Sequence, residues 1–247
     1  MGRLDSFYIA PEHWREPFTL DAEESRHASK VLRLSAGAVV RCFDGQGREG
    51  TFRVESVKGA VALTSLELTQ SPHPASRTWL ALGWNKSARR GWLLEKAVEL
   101  GAAGILFWDA RRSQGDMPGE PKPAWLAQMV AGAKQSHNPF LPRIEMVPGG
   151  AQGLARRCAA MSGRWLLWES PELKRGLTLK ELSAPGEHVF VLGPEGGLTG
   201  QEAGLFQDQG FVPASLGPRP LRWETAALLC LGLALWAGDV PATCCNT

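Results

Sequence analysis

The sequence predicts an α/β protein in which a small β-rich segment precedes a mostly parallel sheet covered by helices. Three observations predict it. Short β-type runs crowd residues 1–70. From residue 78 onward, apolar strand patterns alternate with helical ones, as parallel sheets require. Between them, residues 71–77 (SPHPASR) carry two prolines and read as a linker. The expected division is therefore 1–70, linker 71–77, and 78–247.

In the first segment, residues 6–10, 39–43, 50–57 and 61–68 are the strand candidates. Turn signals stand at Asp44-Gly45 and Lys58-Gly59. A helix carrying Arg26, His27, Lys30 and Arg33 falls between the first two strands. In the second segment the strands fall at 79–84, 105–108, 143–147, 165–168, 189–192 and 212–216. Helical patterns cover 87–100, closed by Gly101, then 124–137, then 201–209, closed by Gly210. The apolar stretch 225–238 (TAALLCLGLALWAG) is shorter than the about 20 residues a membrane span needs. It reads as a helix buried on most of its circumference, in a core or a subunit interface.

Composition excludes more than it assigns. A formal net charge of +2 announces no nucleic-acid partner, so such a partner must be argued from local clusters. Five cysteines, odd in number and without a C-x-x-C, fit neither a disulfide framework nor a zinc site. The five histidines are scattered, and no metal is expected. No basic region followed by an apolar one opens the chain, so a reducing cytoplasm is the expected location and no membrane partner is expected.

Two glycine-rich stretches compete as ligand loops. Residues 45–50 (GQGREG) satisfy the dinucleotide pattern G-x-G-x-x-G, but strands lie on both sides. That pattern works where a strand feeds a helix N-terminus, so these glycines are expected to serve a hairpin. Residues 191–202 (VLGPEGGLTGQE) have the right context. An apolar strand ends at Leu192, and Thr199 with Glu202 forms a capping box that starts a helix. A second loop, 216–226 (LGPRPLRWETA), follows the next strand into the apolar helix. Neither contains G-K-[ST], and neither has a ribose-binding acid at dinucleotide spacing. Main-chain groups and apolar side chains with little charge suit an adenosine moiety that lacks a phosphate tail.

These two loops, in this order, resemble the RsmE family of ribosomal RNA uridine-N3 methyltransferases, in the SPOUT superfamily. The match lies in GPEGG followed by T-x-x-E, and in LG-x-x-x-LR-x-ETA (Leu216, Gly217, Leu221, Arg222, Glu224, Thr225, Ala226). Residues 96–101 (KAVELG) look like the family's K-A-x-E-L-G helix end, and Gln135-Ser136 falls at its Q-S element. His27, Val31-Leu32-Arg33, Gly37 and Asp44-Gly45 are similar to its first-domain pattern. The resemblance implies a PUA-like β-barrel in front of a domain whose C-terminus forms a trefoil knot. It implies a homodimer and S-adenosylmethionine as cofactor. The substrate it implies is a uridine of small-subunit (16S) ribosomal RNA, methylated on N3 within the assembled 30S subunit.

Carried over residue by residue, the resemblance assigns the cofactor to Leu192, Gly193, Glu195, Gly196 and Gly197, with Leu216, Gly217, Leu221, Arg222, Thr225 and Ala226. The chain departs from the family pattern at Leu198, Pro220, Trp223 and His137-Asn138. Transfer to N3 requires a proton acceptor and stabilisation of the charge that develops on the flanking carbonyls. Arg222 is the expected stabiliser, and Glu195 and Glu224 are the candidate bases. Basic residues at Arg26, Lys30, Arg33, Lys86, Arg89, Arg90, Arg111 and Arg112 are the candidate RNA contacts, and Trp223 is a candidate for base stacking. Ribose 2′-O methylation and a non-catalytic assembly role stand as alternatives.

Overall fold

The computed structural model describes residues 4–168 and 175–239. Cys244 and Cys245 lie outside the described residues. The chain packs as two units. The first comprises the chain up to His73 together with Met129–Leu141, and the second comprises Pro74–Gln128 and the chain from Pro142 onward.

The first unit is built on a five-stranded sheet: β1 (Ser6–Tyr8), β2 (Phe18–Thr19), β3 (Val39–Phe43), β4 (Arg48–Ser56) and β5 (Ala62–Gln70). Its order is β1-β3-β4-β5-β2, antiparallel except for the β1–β3 pair. Alternation along β4 buries Gly50, Phe52 and Val54 on one face, as a half-covered sheet demands. Phe52 meets Phe18 at 5.0 Å and Trp14 at 5.8 Å, both edge-to-face. Helix α1 (Ala22–Arg26) starts where the Asp21 side chain accepts a hydrogen bond from the Glu24 N–H at 2.8 Å. It runs into a π turn at His27–Val31 rather than a regular helix. The two-residue β2 has too little sequence to show a period, and it was not expected.

Residues 45–50 do serve a hairpin. Asp44 Oδ1 accepts from the N–H groups of Gln46 and Arg48, at 2.8 and 3.0 Å. The glycines there have a further reason. Residues 139–141 run alongside, with Gly47 N–H bonded to the Pro139 carbonyl and Leu141 N–H to that of Gly45. A Cβ on Gly47 would lie 2.5 Å from the Phe140 ring. The bared backbone therefore receives another stretch of this chain, and the dinucleotide pattern is accidental.

The second unit holds β6 (Ser76–Gly83), α2 (Arg90–Glu99), β7 (Gly104–Trp108), the first turns of α3 (Pro123–Ser136), β8 (Arg143–Val147) and α4 (Gly150–Arg157). After these come β9 (Gly163–Leu167), α5 (Leu179–Leu182), β10 (Gly186–Leu192), α6 (Gly200–Asp208), β11 (Val212–Ala214) and α7 (Trp223–Asp239). All six strands pair in parallel, in the order β11-β9-β10-β6-β7-β8. Strands covered on both faces read as continuous apolar runs, and residues 105–108 and 189–191 are fully buried. Helix α4 was not expected, because its N-cap is Gly149 in a left-handed conformation with no capping side chain. The second helix begins at Arg90 instead of residue 87, and the third ends at Ser136, where His137 turns to φ 58. The strand expected at 212–216 stops at Ala214. No helix among the described residues is long and apolar enough to cross a membrane.

Register decides where the connections leave the sheet. Leu167 pairs with Ala214 on one side and Leu192 on the other, and Leu192 pairs with Leu82. Leu82 in turn pairs with Phe107, and Phe107 with Met146. The strands therefore finish in one row. A Cβ on Gly83 would stand 2.4 Å from Pro194 N and 2.5 Å from its Cδ, so the connection after β10 lies directly on the end of β6. Gly83→Ala is expected to destabilise the chain by about 1–3 kcal/mol through this overlap. Gly204→Ala, inside α6 with open space around it, should stabilise by about 0.5–1 kcal/mol. Thermal unfolding of the two variants beside the wild type checks both signs.

Candidate active site

The loop after β10 begins at Leu192, which is buried, and turns at once. Gly197 N–H bonds back to the Pro194 carbonyl at 2.8 Å, with Gly197 at φ 72. Leu198 tucks into the apolar core, while Glu195, Gly196 and Gly197 stay exposed. Thr199 then caps α6, and its reciprocal partner is Glu202. That glutamate has a second task. Oε2 accepts from Thr199 N–H and Oγ1–H, at 2.9 and 2.8 Å, while Oε1 accepts from the Arg111 N–H at 2.8 Å. A residue 5% exposed thus ties the first loop to the connection after β7. Arg112 adds to the tie by donating to the Gly196 carbonyl at 2.9 Å.

The second loop leaves the same row one strand beyond β9, about 10 Å across at strand spacing. Ser215 Oγ accepts from Gly217 N–H at 3.2 Å and donates to its carbonyl at 3.1 Å. Gly217 lies at φ 120, a value side chains rarely adopt, with nothing within 4 Å of where a Cβ would stand. Residues 217–220 and Arg222 are exposed, and Leu216, Leu221 and Ala226 half-buried. The Arg222 carbonyl accepts from Ala226 N–H in the first turn of α7, beside exposed Thr225. The loop is pinned at its far end. Glu224, 6% exposed, takes a hydrogen bond from Arg89 at 2.8 Å.

The expected cofactor residues thus lie on the two connections flanking β9, with Thr225 and Ala226 in the first turn of α7. The expected proton handlers differ in setting: Glu195 and Arg222 are exposed, whereas Glu224 is buried in its ion pair. Trp223 departs from its expected stacking role, because it is 6% exposed and belongs to the core. Its indole N–H has no hydrogen-bond partner there. The basic candidates also divide. Arg26, Lys30 and Arg33 are exposed in the first unit, with Arg33 at φ 52. Lys86, Arg89, Arg111 and Arg112 are exposed along the rim of the second. Arg90 is different. Its guanidinium lies 4.0 Å from the Trp84 ring centre, near Phe107 and Trp125, and donates to the Asn85 carbonyl. Half-buried against these rings, it already serves the packing of the fold and is less open than the other candidates, and burial lowers its pKa.

Two buried polar residues near the loops were not legible in the sequence as such. Glu202 was legible as a capping acid, but its bond to Arg111 joins residues far apart in the chain. Asn85 carried no signal at all. It is 1% exposed, sits two residues beyond Gly83, and its amide nitrogen lacks a partner.

An open parallel sheet with two bared loops on its carboxyl rim is a ligand-binding arrangement, and family comparison gives its class. Residues 71–235 match the model of an RNA methyltransferase domain, and residues 20–63 match an RNA methyltransferase PUA domain. The chain belongs to this RNA methyltransferase family. It is similar to Ribosomal RNA small subunit methyltransferase E of Bacillus subtilis, 28% identical over 225 residues, spanning 87% of this chain and 88% of the relative. The protein of that name from Mycobacterium bovis is 29% identical over 221 residues, spanning 86% and 84%. Among solved structures, a Ribosomal RNA small subunit methyltransferase E from Neisseria gonorrhoeae bound to S-adenosyl methionine superposes with a TM-score of 0.76 at 25% identity. That match covers 92% of this chain and 95% of the other.

Glu202→Ala is expected to cost about 1–3 kcal/mol, since it removes the acceptor of the Arg111 main-chain N–H as well as the reciprocal half of the capping box. Glu181→Ala, in the exposed capping box of α5, should cost at most about 1 kcal/mol. Urea unfolding of both variants measures the difference, and equal losses would show that the Arg111 tie contributes nothing.

Proposed function

We propose that this chain transfers the methyl group of S-adenosylmethionine to N3 of a uridine in small-subunit ribosomal RNA. The observation that carries the reading is the pair of glycine loops rooted in one strand row, in a chain of the RNA methyltransferase family. The site's chemistry fits that cofactor. Gly196, Gly197 and Gly217 present main chain without a Cβ, and the loops carry no phosphate-binding lysine. The buried amide nitrogen of Asn85, two residues beyond the end of β6 at Gly83, has no hydrogen-bond partner among the described residues.

The cofactor supplies a methyl group already activated on a sulfonium, so the protein's task is alignment, exclusion of water and management of one proton. The two loops grip the cofactor through main-chain atoms. Glu195, exposed on the first loop, accepts the N3 proton. Arg222 faces the negative charge that spreads onto the base carbonyls. Glu224 acts through position: by holding Arg89 it fixes the start of α7.

The remainder of the proposal follows the same family. Helix α7 leaves the edge strand β11 and packs back over β10, β6 and α2, the path that a trefoil knot would take. Trp92 on α2 and Leu229, Leu235 and Trp236 on α7 are exposed apolar residues, suited to a homodimer interface. The substrate is the assembled 30S subunit in the cytoplasm, met by Lys86, Arg111 and Arg112 on the rim and Arg26, Lys30 and Arg33 on the first unit.

Arg222→Ala should lower single-turnover methyl transfer by about 10²–10³-fold. Cofactor affinity, followed by isothermal titration, separates this loss from failed binding, and wild-type turnover would remove Arg222 from the mechanism. Nucleoside mass spectrometry of ribosomal RNA from a deletion strain should show loss of 3-methyluridine, restored by the gene. Loss of a ribose-methylated nucleoside instead would move the target to the 2′-hydroxyl.

A further inference from the structure

We propose that the first unit carries a pocket for one unstacked base of single-stranded RNA, formed beside the π turn that follows α1. The proposal relies on the methyltransferase reading only for the identity of the polymer. A cavity of about 190 Å³ lies there, lined by Glu23, Glu24, Arg26, His27, Val31 and Lys134. That volume admits a single base and little more. π turns are uncommon and recur at functional sites, because the extra residue in the turn displaces side chains from helical positions. Here the turn ends on Val31, an apolar residue 65% exposed at the pocket's edge. The His27 ring stands edge-on to Phe7 at 6.2 Å, and among the described residues none hydrogen-bonds it. Valine and imidazole together offer a base the apolar and aromatic contact that stacking uses.

The polar part of the pocket is an ion pair. Glu24, 7% exposed, has its two carboxylate oxygens 2.5 and 2.7 Å from Lys134 Nζ. A buried pair of this kind gives little net stability, so its presence calls for another account. Side by side, a carboxylate that accepts and an ammonium that donates match the mixed edge of a base. Uracil offers N3–H and a carbonyl oxygen, and cytosine its amino group and N3. The cations of the lining, Arg26 and Lys134, are matched by Glu23 and Glu24, so the pocket has no net positive charge to hold a free phosphate.

On the other side of the turn, a second concavity of about 380 Å³ is bordered by Arg26, Lys30 and Ser29, with no acidic residue around it. Arg26 borders both spaces. The cation-lined concavity suits the sugar-phosphate backbone, and the ion-pair pocket suits the base it carries.

The test uses the full chain, a short fluorescein-labelled oligouridylate, and an abasic oligoribonucleotide of equal length, read by fluorescence anisotropy. The wild type should bind the oligouridylate about tenfold more tightly, the value of one stacked base. His27→Ala and Val31→Ser should each erase most of that preference while leaving the abasic oligomer's affinity unchanged. Val31 is exposed, so its variant keeps the test valid if His27→Ala unfolds. Arg26→Ala and Lys30→Ala should weaken both oligomers and flatten the salt dependence. Equal binding of the two oligomers by the wild type, binding of neither, or a full preference retained by Val31→Ser would overturn the pocket. Titration of S-adenosylmethionine is read separately: a chain that keeps its base preference but binds no cofactor would retain the pocket and lose the methyltransferase reading.

Discussion

Six strands running the same way leave the sheet of the second unit with one edge for every departing connection, and the register brings them out level. Leu82, Phe107, Met146, Leu167, Leu192 and Ala214 form one hydrogen-bonded row. The glycine loops depart from either side of a single strand because of that row. Shifting β9 by one residue would turn each of its side chains to the opposite face and stagger the two loops. The apolar character of β6, β7 and β10 protects the register, since they are buried on both faces.

Bared loops gain ligand access at the cost of their own order, and here the order is restored from outside. Pro194 rests on the end of β6 where no side chain intervenes. Glu202 binds the first loop to the β7 connection through main-chain donors, a contact that does not depend on which side chain stands at 111. Arg89 and Glu224 fasten the second loop's exit. None of these three ties occupies the exposed Glu195, Gly197 or Gly217. Support beneath and openness above is the arrangement a preorganised site requires.

The first unit shows the same use of glycine for another end. At residues 45–50 a textual match to a dinucleotide loop proved to be a hairpin against which residues 139–141 pack. Its context, strand to strand, was enough to reject the match beforehand. What the glycines accommodate instead was hidden, because Phe140 lies more than ninety positions away in the chain. Lys134 and Glu24 repeat the lesson, as neither residue shows in sequence that the other neutralises it.

By itself the sequence determined the class of fold, the order of the long elements and the place of the two glycine loops, because apolar period, glycine context and capping boxes are local properties of the chain. It could not show α4, whose cap has no side chain, or β2, which is too short for a pattern. Only the tertiary structure decided which charges and rings are available: Arg90 beside aromatic rings, Glu224 spent on Arg89, and Trp223 in the core. A charged or aromatic residue reads identically in sequence whether it faces water or its own fold, and only long-range packing settles which it does.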